Sequence, residues 1–312
     1  MKYVFGPVPS RRLGRSLGIS PIPPKTCNYS CIYCQLGRTS VLTNERKMFF
    51  PVQNIVKEVK KALEKEHVID YITIVGDGEP TPYLGLGELI EEIKTFTNIP
   101  VAVITNGALL YDQEVRKELL LSDVVLPTLD AVEERMFRII NRPHKDLKLE
   151  LIIEGMRKFR EEFSNQIWME VMLVKDKNDS KETTLAIKEI LDELKVDKTF
   201  INVPIRPPAE SWVEIPTNEV LAEAQRNLNA ESIAHFENLL IESVDRDASP
   251  EEQILSITKR HPLREDQIMT LFPNLNEEEI KKMLEGMSKK GLIKIERYMN
   301  HRFWTAKEEK KK

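Results

Sequence analysis

The chain has 312 residues, with 46 Lys/Arg against 50 Asp/Glu and a net charge of −4, a composition ordinary for a globular protein. No apolar run approaches the ~18 residues a membrane-spanning helix needs, and the N-terminal MKYVFGPVPSRR lacks the apolar centre of a signal peptide. A cytoplasmic protein with no membrane partner is therefore expected. Its only cysteines, Cys27, Cys31 and Cys34, are clustered, which suits a reducing compartment and metal binding rather than disulfides.

The charge is unevenly placed. Residues 1–47 hold eight Lys/Arg and one acid, Glu45. Arg11, Arg12, Arg15, Lys25 and Arg38 surround the cysteines, and such a cationic mouth favours anionic ligands; local solubility is the plainer explanation. Short apolar runs at 17–22 (LGISPI), 70–75 (DYITIV), 100–105 (PVAVIT), 123–126 (DVVL), 167–174 (IWMEVMLV) and 199–203 (TFINV) predict six strands. Between them, 51–65, 87–96, 112–121, 147–163 and 180–195 carry apolar residues at helical spacing, the last starting at Ser180. Such alternation implies parallel strands joined by helical crossovers. An open doubly wound sheet and a partial (β/α)6 barrel both fit, and either gathers ligands at the C-terminal ends of its strands. The partial barrel is the expected fold class.

Residues 231–249 read as a helix and linker. Beyond Pro250, EEQILSITKR, LREDQIMTLF and NEEEIKKMLEGMSKKG predict three short helices, and LIKIERYMNHRFWTA a two-stranded hairpin. That pattern predicts a small winged-helix-like α+β domain over 250–306, with 307–312 a frayed tail. The expected division is thus 1–230, 231–249, 250–306 and 307–312. Residues 250–312 carry a net charge of only +3, too little to demand a phosphate backbone as partner. Protein contact or closure is the first expectation for this domain, and nucleic acid the second.

The cysteines are spaced CxxxCxxC. Zinc would need one of the remote histidines, 67, 144, 235, 261 or 301, as a fourth ligand. A redox pair of Cys31 and Cys34 leaves Cys27 unexplained. An iron–sulfur cluster with one open iron uses all three.

CxxxCxxC with Tyr33 before the last cysteine resembles the signature of the radical S-adenosylmethionine superfamily. Gly76-Asp77-Gly78-Glu79-Pro80 after the second strand is similar to that family's Gly-Gly-Glu-Pro segment, with Asp77 in place of a glycine. Thr105-Asn106-Gly107 and Thr128-Leu129-Asp130 follow the third and fourth strands, and the resemblance spans about residues 16–205. It implies a 4Fe–4S cluster on Cys27, Cys31 and Cys34. It implies an S-adenosyl-L-methionine site formed by Tyr33, Gly78, Glu79, Pro80, Thr105, Asn106, Thr128 and Asp130, with Glu79 receiving the ammonium group. Lys175–Asp179 occupies the place of adenine and ribose contacts. The implied reaction is reductive cleavage to a 5′-deoxyadenosyl radical that abstracts hydrogen from a substrate, with electrons from a flavodoxin- or ferredoxin-like donor. Turn formation and helix capping are the competing roles of the strand-end motifs.

The segment GPVPSRRLGRSLGISPIPPKTCNYSCIYCQLGRT, Gly78-Glu79-Pro80-Thr81 and Ile140-Asn141-Arg142-Pro143 resemble a subgroup near the wyosine-type tRNA-modification radical enzymes. Those enzymes carry a second cysteine set for an auxiliary cluster, and this chain has no cysteine to spare. The substrate, a small molecule or RNA, is unassigned. Arg12, Arg142 and Arg206 are candidate contacts to an anionic group, while His144 reads as a loop residue. Two other classes compete: an iron–sulfur redox or iron sensor that binds nucleic acid through the C-terminal domain, and a zinc-stabilised interaction protein.

Overall fold

The computed structural model describes residues 1–65, 68–232 and 248–307. An antiparallel pair, β1 (Val4–Ser10) and β2 (Gly14–Ile19), opens the chain, and the short parallel pair β3 (Thr26–Cys27) and β4 (Val41–Leu42) brackets the cysteine loop. The chain then alternates: α1 (Val52–Leu63), β5 (Tyr71–Ile74), α2 (Leu86–Phe96), β6 (Val101–Ile104), α3 (Gln113–Leu119), β7 (Val124–Leu126), α4 (Glu134–Ile140), α5 (Leu149–Glu162), β8 (Gln166–Met172), α6 (Lys181–Leu194), β9 (Lys198–Asn202), α7 (Asn218–Leu228) and β10 (Glu231–Ser232). The sheet order is β1-β2-β5-β6-β7-β8-β9-β10, parallel from β2 onward. The six expected strands are β2 and β5 to β9, and their order is that of a partial (β/α) barrel. The five expected helices are α1, α2, α3, α5 and α6.

Period-two alternation divides the sheet into two faces. Ile72, Ile74, Val101, Val103, Val125, Ile167, Met169, Val171 and Ile201 join the core shared with the helices, where α1 contributes Val52, Ile55, Val56 and Val59. Their neighbours Ala102, Val124, Leu126, Trp168 and Phe200 form a separate inner cluster with Leu13 from the β1–β2 turn. Burial thus fills one end of the barrel. Nearer the C-terminal ends the interior turns polar, with Ser16 and Thr73 hydroxyls 2.6 Å apart, then Thr128, Glu170 and Asn202. The β1–β2 turn also carries Arg11 and Arg12 across this interior. Arg12 pairs with Glu170 of β8, and Arg11 Nη2 donates to Asn202 Oδ1 of β9 at 3.4 Å.

A helix was expected to begin at residue 231. Glu231–Ser232 instead extend the sheet, parallel to Phe200–Ile201. Asn229, in the left-handed conformation (φ 49°), has already ended α7 and turned the chain into β10. Residues 233–247 of the expected helix and linker, and 308–312 of the tail, lie outside the described residues.

The C-terminal region comprises α8 (Pro250–Thr258), β11 (Leu263–Arg264), α9 (Glu265–Leu271), α10 (Glu277–Lys289), β12 (Ile293–Tyr298) and β13 (His301–Ala306). Capping boxes at Ser249/Glu252 and Asn276/Glu279 start α8 and α10. Met299 and Asn300, at φ 49° and 61°, make the hairpin turn. The sheet is antiparallel in the order β11-β13-β12, over a core that includes Ile254, Leu263, Ile268, Ile280, Leu284 and Trp304. Among the described residues no helix is long and apolar enough to cross a membrane.

Candidate active site at the cysteine loop

The loop from Cys27 to Arg38 lies at the C-terminal ends of the strands. Its backbone is pinned by the segment after α4: Ser30 N donates to Asn141 O at 3.0 Å, Ile32 N to Ile140 O at 2.9 Å, and Tyr29 bridges Pro143. Ile32, fully buried with Ile140, Val174 and Val213, anchors the loop's middle. Cys34 N to Cys31 O (3.2 Å) and Gly37 N to Cys34 O (3.0 Å) close two tight turns, the second with Gly37 at φ 81°. All three thiols are free and half-buried.

Each thiol is pushed above its ordinary range by burial. For Cys31 the neighbouring Cys27 and Cys34 add to the shift; for Cys27 the Glu79 carboxylate does; Lys25 counteracts it at Cys34. Three soft donors on one loop, close enough to repel as anions, suit a group that brings compensating positive charge. Hydrogen bonds to two of the sulfurs oppose that rise. Tyr29 N donates to Cys27 Sγ at 3.4 Å, Asn106 Nδ2 to the same sulfur at 3.8 Å, and Asn141 Nδ2 to Cys31 Sγ at 3.7 Å. Among the described residues, no three His, Cys, Asp or Glu side chains converge on a single metal ion. Three thiols on one loop are a donor set that an iron–sulfur cluster with one open iron could take up.

Glu79 is buried between strand ends. Its Oε1 accepts from Thr81 N (3.2 Å), Thr81 Oγ1 (2.6 Å) and Thr105 Oγ1 (2.5 Å), and its Oε2 from Asn106 N (2.7 Å). Burial raises its pKa and these donors oppose the rise. The carboxylate thus ties β5 to β6 and fixes Asn106, whose amide also reaches Asn28 Oδ1 at 2.6 Å. Glu79 has a structural task that the sequence pattern did not disclose.

Gly78 is required by space. A Cβ there would lie 1.9 Å from the Thr26 carbonyl oxygen, just where Glu79 N donates to that oxygen at 3.1 Å. Gly78→Ala is expected to push β3 and the loop away at a cost of about 1–3 kcal/mol. Denaturant titration of the variant against the parent measures it. Pro80 follows, and its carbonyl accepts from Tyr83 N at 3.0 Å.

Asp130 is the second buried carboxylate. Its Oδ2 accepts from Tyr33 OH at 2.5 Å and Asn141 Nδ2 at 2.7 Å, and its Oδ1 from Met172 N at 2.9 Å. Burial raises its pKa to about 6 against these bonds. Tyr33, Asp130 and Asn141 therefore form one network that ends on Cys31. Asn141 had been noted only as part of a run whose arginine drew attention. Asn178, from the 175–179 loop, is fully buried and donates to the Asp130 and Met172 carbonyls, each at 2.8 Å.

The other candidates separate. Thr128, Arg12 and Arg206 line a cavity of about 390 Å³ in the barrel interior, together with Tyr33 and Cys34. Arg142 does not line it. Its Nη1 donates to Glu210 Oε1 at 2.5 Å, and Arg38 grips the same carboxylate at 2.9 and 3.1 Å. Both cations hold Glu210 below the usual carboxylate range. His144 accepts or donates to Asn44 on the loop at 3.1 Å, as a loop residue would.

The C-terminal region meets this cavity. Arg260, between α8 and β11, pairs with Asp77 at 2.9 Å and lies over the Phe5 ring at 4.9 Å. Gln35, next to Cys34, donates to Arg260 O and meets His261 Nδ1, both at 3.1 Å. Contacts between segments so far apart leave no local pattern in the sequence; only Asp77 is marked there, as the departure from the family's glycine.

A family model described as the Radical SAM superfamily matches residues 22–187. A UPF0026 protein of Methanocaldococcus jannaschii is 40% identical over 95% of this chain and 94% of its own length. A protein of Brachyspira hyodysenteriae named GTPase Obg is 38% identical over 95% of this chain, which spans only 44% of that longer protein. Among solved structures, Streptococcus suis SuiB bound to precursor peptide SuiA superposes with a TM-score of 0.52 at 15% identity, over 68% of this chain and 46% of SuiB.

Proposed function

This chain belongs to the radical SAM superfamily, and from that premise we propose that it is an enzyme with a single 4Fe–4S cluster on Cys27, Cys31 and Cys34, binding S-adenosyl-L-methionine beside it and acting on a substrate enclosed in the barrel interior. The observation that carries this reading is the cysteine loop itself. Three free thiols, two of them receiving side-chain amide donors, are held at the C-terminal ends of parallel strands. With no further cysteine in the chain, a second cysteine-bound cluster is left out. When bound, the cluster and S-adenosylmethionine would supply one-electron reductive cleavage to a 5′-deoxyadenosyl radical and hydrogen abstraction from substrate.

The chain's own residues hold, orient and enclose. Glu79 fixes Asn106 against Cys27, and Asp130 fixes Tyr33 and Asn141 against Cys31. Gly78 lets the β5 end approach β3, and Pro80 begins the turn that follows. Thr105, Thr128 and the remaining strand-end groups offer polar contacts to the cofactor. The Arg260–Asp77 pair favours closure of the barrel mouth as the role of the winged-helix-like C-terminal region, ahead of nucleic-acid binding. A flavodoxin- or ferredoxin-like donor and a cytoplasmic location complete the proposal. Anaerobic protein incubated with dithionite and S-adenosylmethionine should be brown and should form 5′-deoxyadenosine. A colourless, zinc-bearing protein that forms none would refute the reading.

A further inference from the structure

Among the described residues, the wall of the barrel interior carries more arginines than carboxylates. Arg11, Arg12, Arg206, Arg260 and Arg264 line the cavity against Asp77 and Glu170. Both carboxylates are engaged, Glu170 by Arg12 and Asp77 by Arg260. Arg264 grips Asp266, which lies outside the wall, at 2.8 and 3.0 Å. Arg206 donates to a neutral group, the Gln35 carboxamide, at 3.1 Å, and among the described residues no carboxylate pairs with it. Arg12 Nε is buried with no hydrogen-bond partner among the described residues. Burial, then the neighbouring Arg11, holds both Arg12 and Arg206 down to about 10, and burial with Arg206 and Arg260 drives His261 to about 3. At neutral pH the arginines stay charged and the histidine adds nothing. A buried guanidinium such as that of Arg206, with no carboxylate against it among the described residues, costs free energy unless an anion enters.

We propose that this chamber binds the phosphate group of a small phosphorylated molecule, gripped by Arg12 and Arg206 with Arg264 contributed by the C-terminal region. The inference rests on reading the barrel interior as the substrate space of the enzyme and names the substrate's class. The guanidinium groups come from three separate segments: the β1–β2 turn, the residues after β9, and β11. A tetrahedral dianion with three terminal oxygens can accept from several directions, whereas a planar carboxylate matches one fork. Size favours a small molecule. The cavity is about 390 Å³, and Arg260 and Gln35 hold the C-terminal region over it.

Anaerobically prepared, cluster-loaded protein is titrated calorimetrically with ribose 5-phosphate, ribose, succinate and a short single-stranded RNA lacking terminal phosphates. Ribose 5-phosphate should bind and inorganic phosphate should compete with it, while ribose and succinate should not bind. Arg206→Gln should weaken binding at least about tenfold. Arg206→Lys, which keeps the charge and loses the fork, should weaken it less and serves if Arg206→Gln does not fold. Arg157→Gln, on the outer surface of α5 where Arg157 pairs with Glu193 at 2.8 Å, should change nothing. No binding of ribose 5-phosphate by the parent, equal binding of succinate, preference for the RNA, or unchanged affinity in both Arg206 variants would each overturn the proposal. The same preparation is assayed for 5′-deoxyadenosine. Cleavage without phosphate binding overturns this inference alone; phosphate binding without cleavage overturns the radical-enzyme reading and leaves the phosphate site standing.

Discussion

Cys31→Ala should abolish 5′-deoxyadenosine formation and strip the protein of its visible iron–sulfur absorbance, while the barrel stays folded. Cys31 is the central thiol of the loop, with Cys27 and Cys34 both near enough to raise its pKa. A cluster left with two protein thiolates loses a third of its covalent anchorage, and the chain has no spare cysteine to substitute. Fold survival is expected because the loop's backbone is pinned by Ile32 and the Ile140–Pro143 segment rather than by sulfur. Far-ultraviolet circular dichroism, iron content and product formation measure the three quantities separately. Persistent 5′-deoxyadenosine in the variant would remove the cysteine loop from the reaction.

Glu79→Gln should destabilise the protein by about 2–5 kcal/mol and weaken the cluster as well as the cofactor. The substitution keeps the volume but replaces one acceptor oxygen with a donor. Oε1 serves two hydroxyls and a backbone N–H, while Oε2 serves Asn106 N. Whichever way the new amide turns, at least one buried backbone N–H faces another donor. With the nitrogen at the Oε2 position, Asn106 is released, and with it a contact to Cys27 Sγ. The sequence pattern alone suggested a contact to the cofactor's ammonium group. The geometry instead predicts a coupled loss, read as a lower denaturation midpoint together with lower iron occupancy. A variant of parental stability that binds S-adenosylmethionine weakly would show that Glu79 acts on the cofactor alone.

The elements legible in the sequence were those with a single strong period. The six parallel strands are continuous apolar runs, and the five expected helices carry clear stripes such as Ile55, Val56 and Val59. β1 was hidden because Gly6, Pro7 and Pro9 interrupt its run, residues that read as turn or coil. α7 carries a weaker pattern, burying just Leu221, Ala224 and Leu228. Within the site, the motif residues were recognisable by spacing, but their partners were not. Asn141 lies 110 positions from Cys31 and Arg260 lies far from Asp77; neither pairing leaves a local trace. Arg142 illustrates the converse. Its place between Asn141 and Pro143 drew attention, yet its guanidinium is committed to Glu210 together with Arg38.

The contact between Gln35 and the Arg260 carbonyl joins residues 225 positions apart. Each βα unit of the barrel can be assembled from neighbours along the chain, whereas the wall shared by the cysteine loop and the C-terminal region cannot form until almost the whole chain is available. Closing so long a loop carries an entropic cost that no local structure offsets in advance. Ribosomal synthesis delivers the thiols early and their cover late. The order of translation therefore leaves an interval in which the nascent loop is open on the side that the finished fold covers.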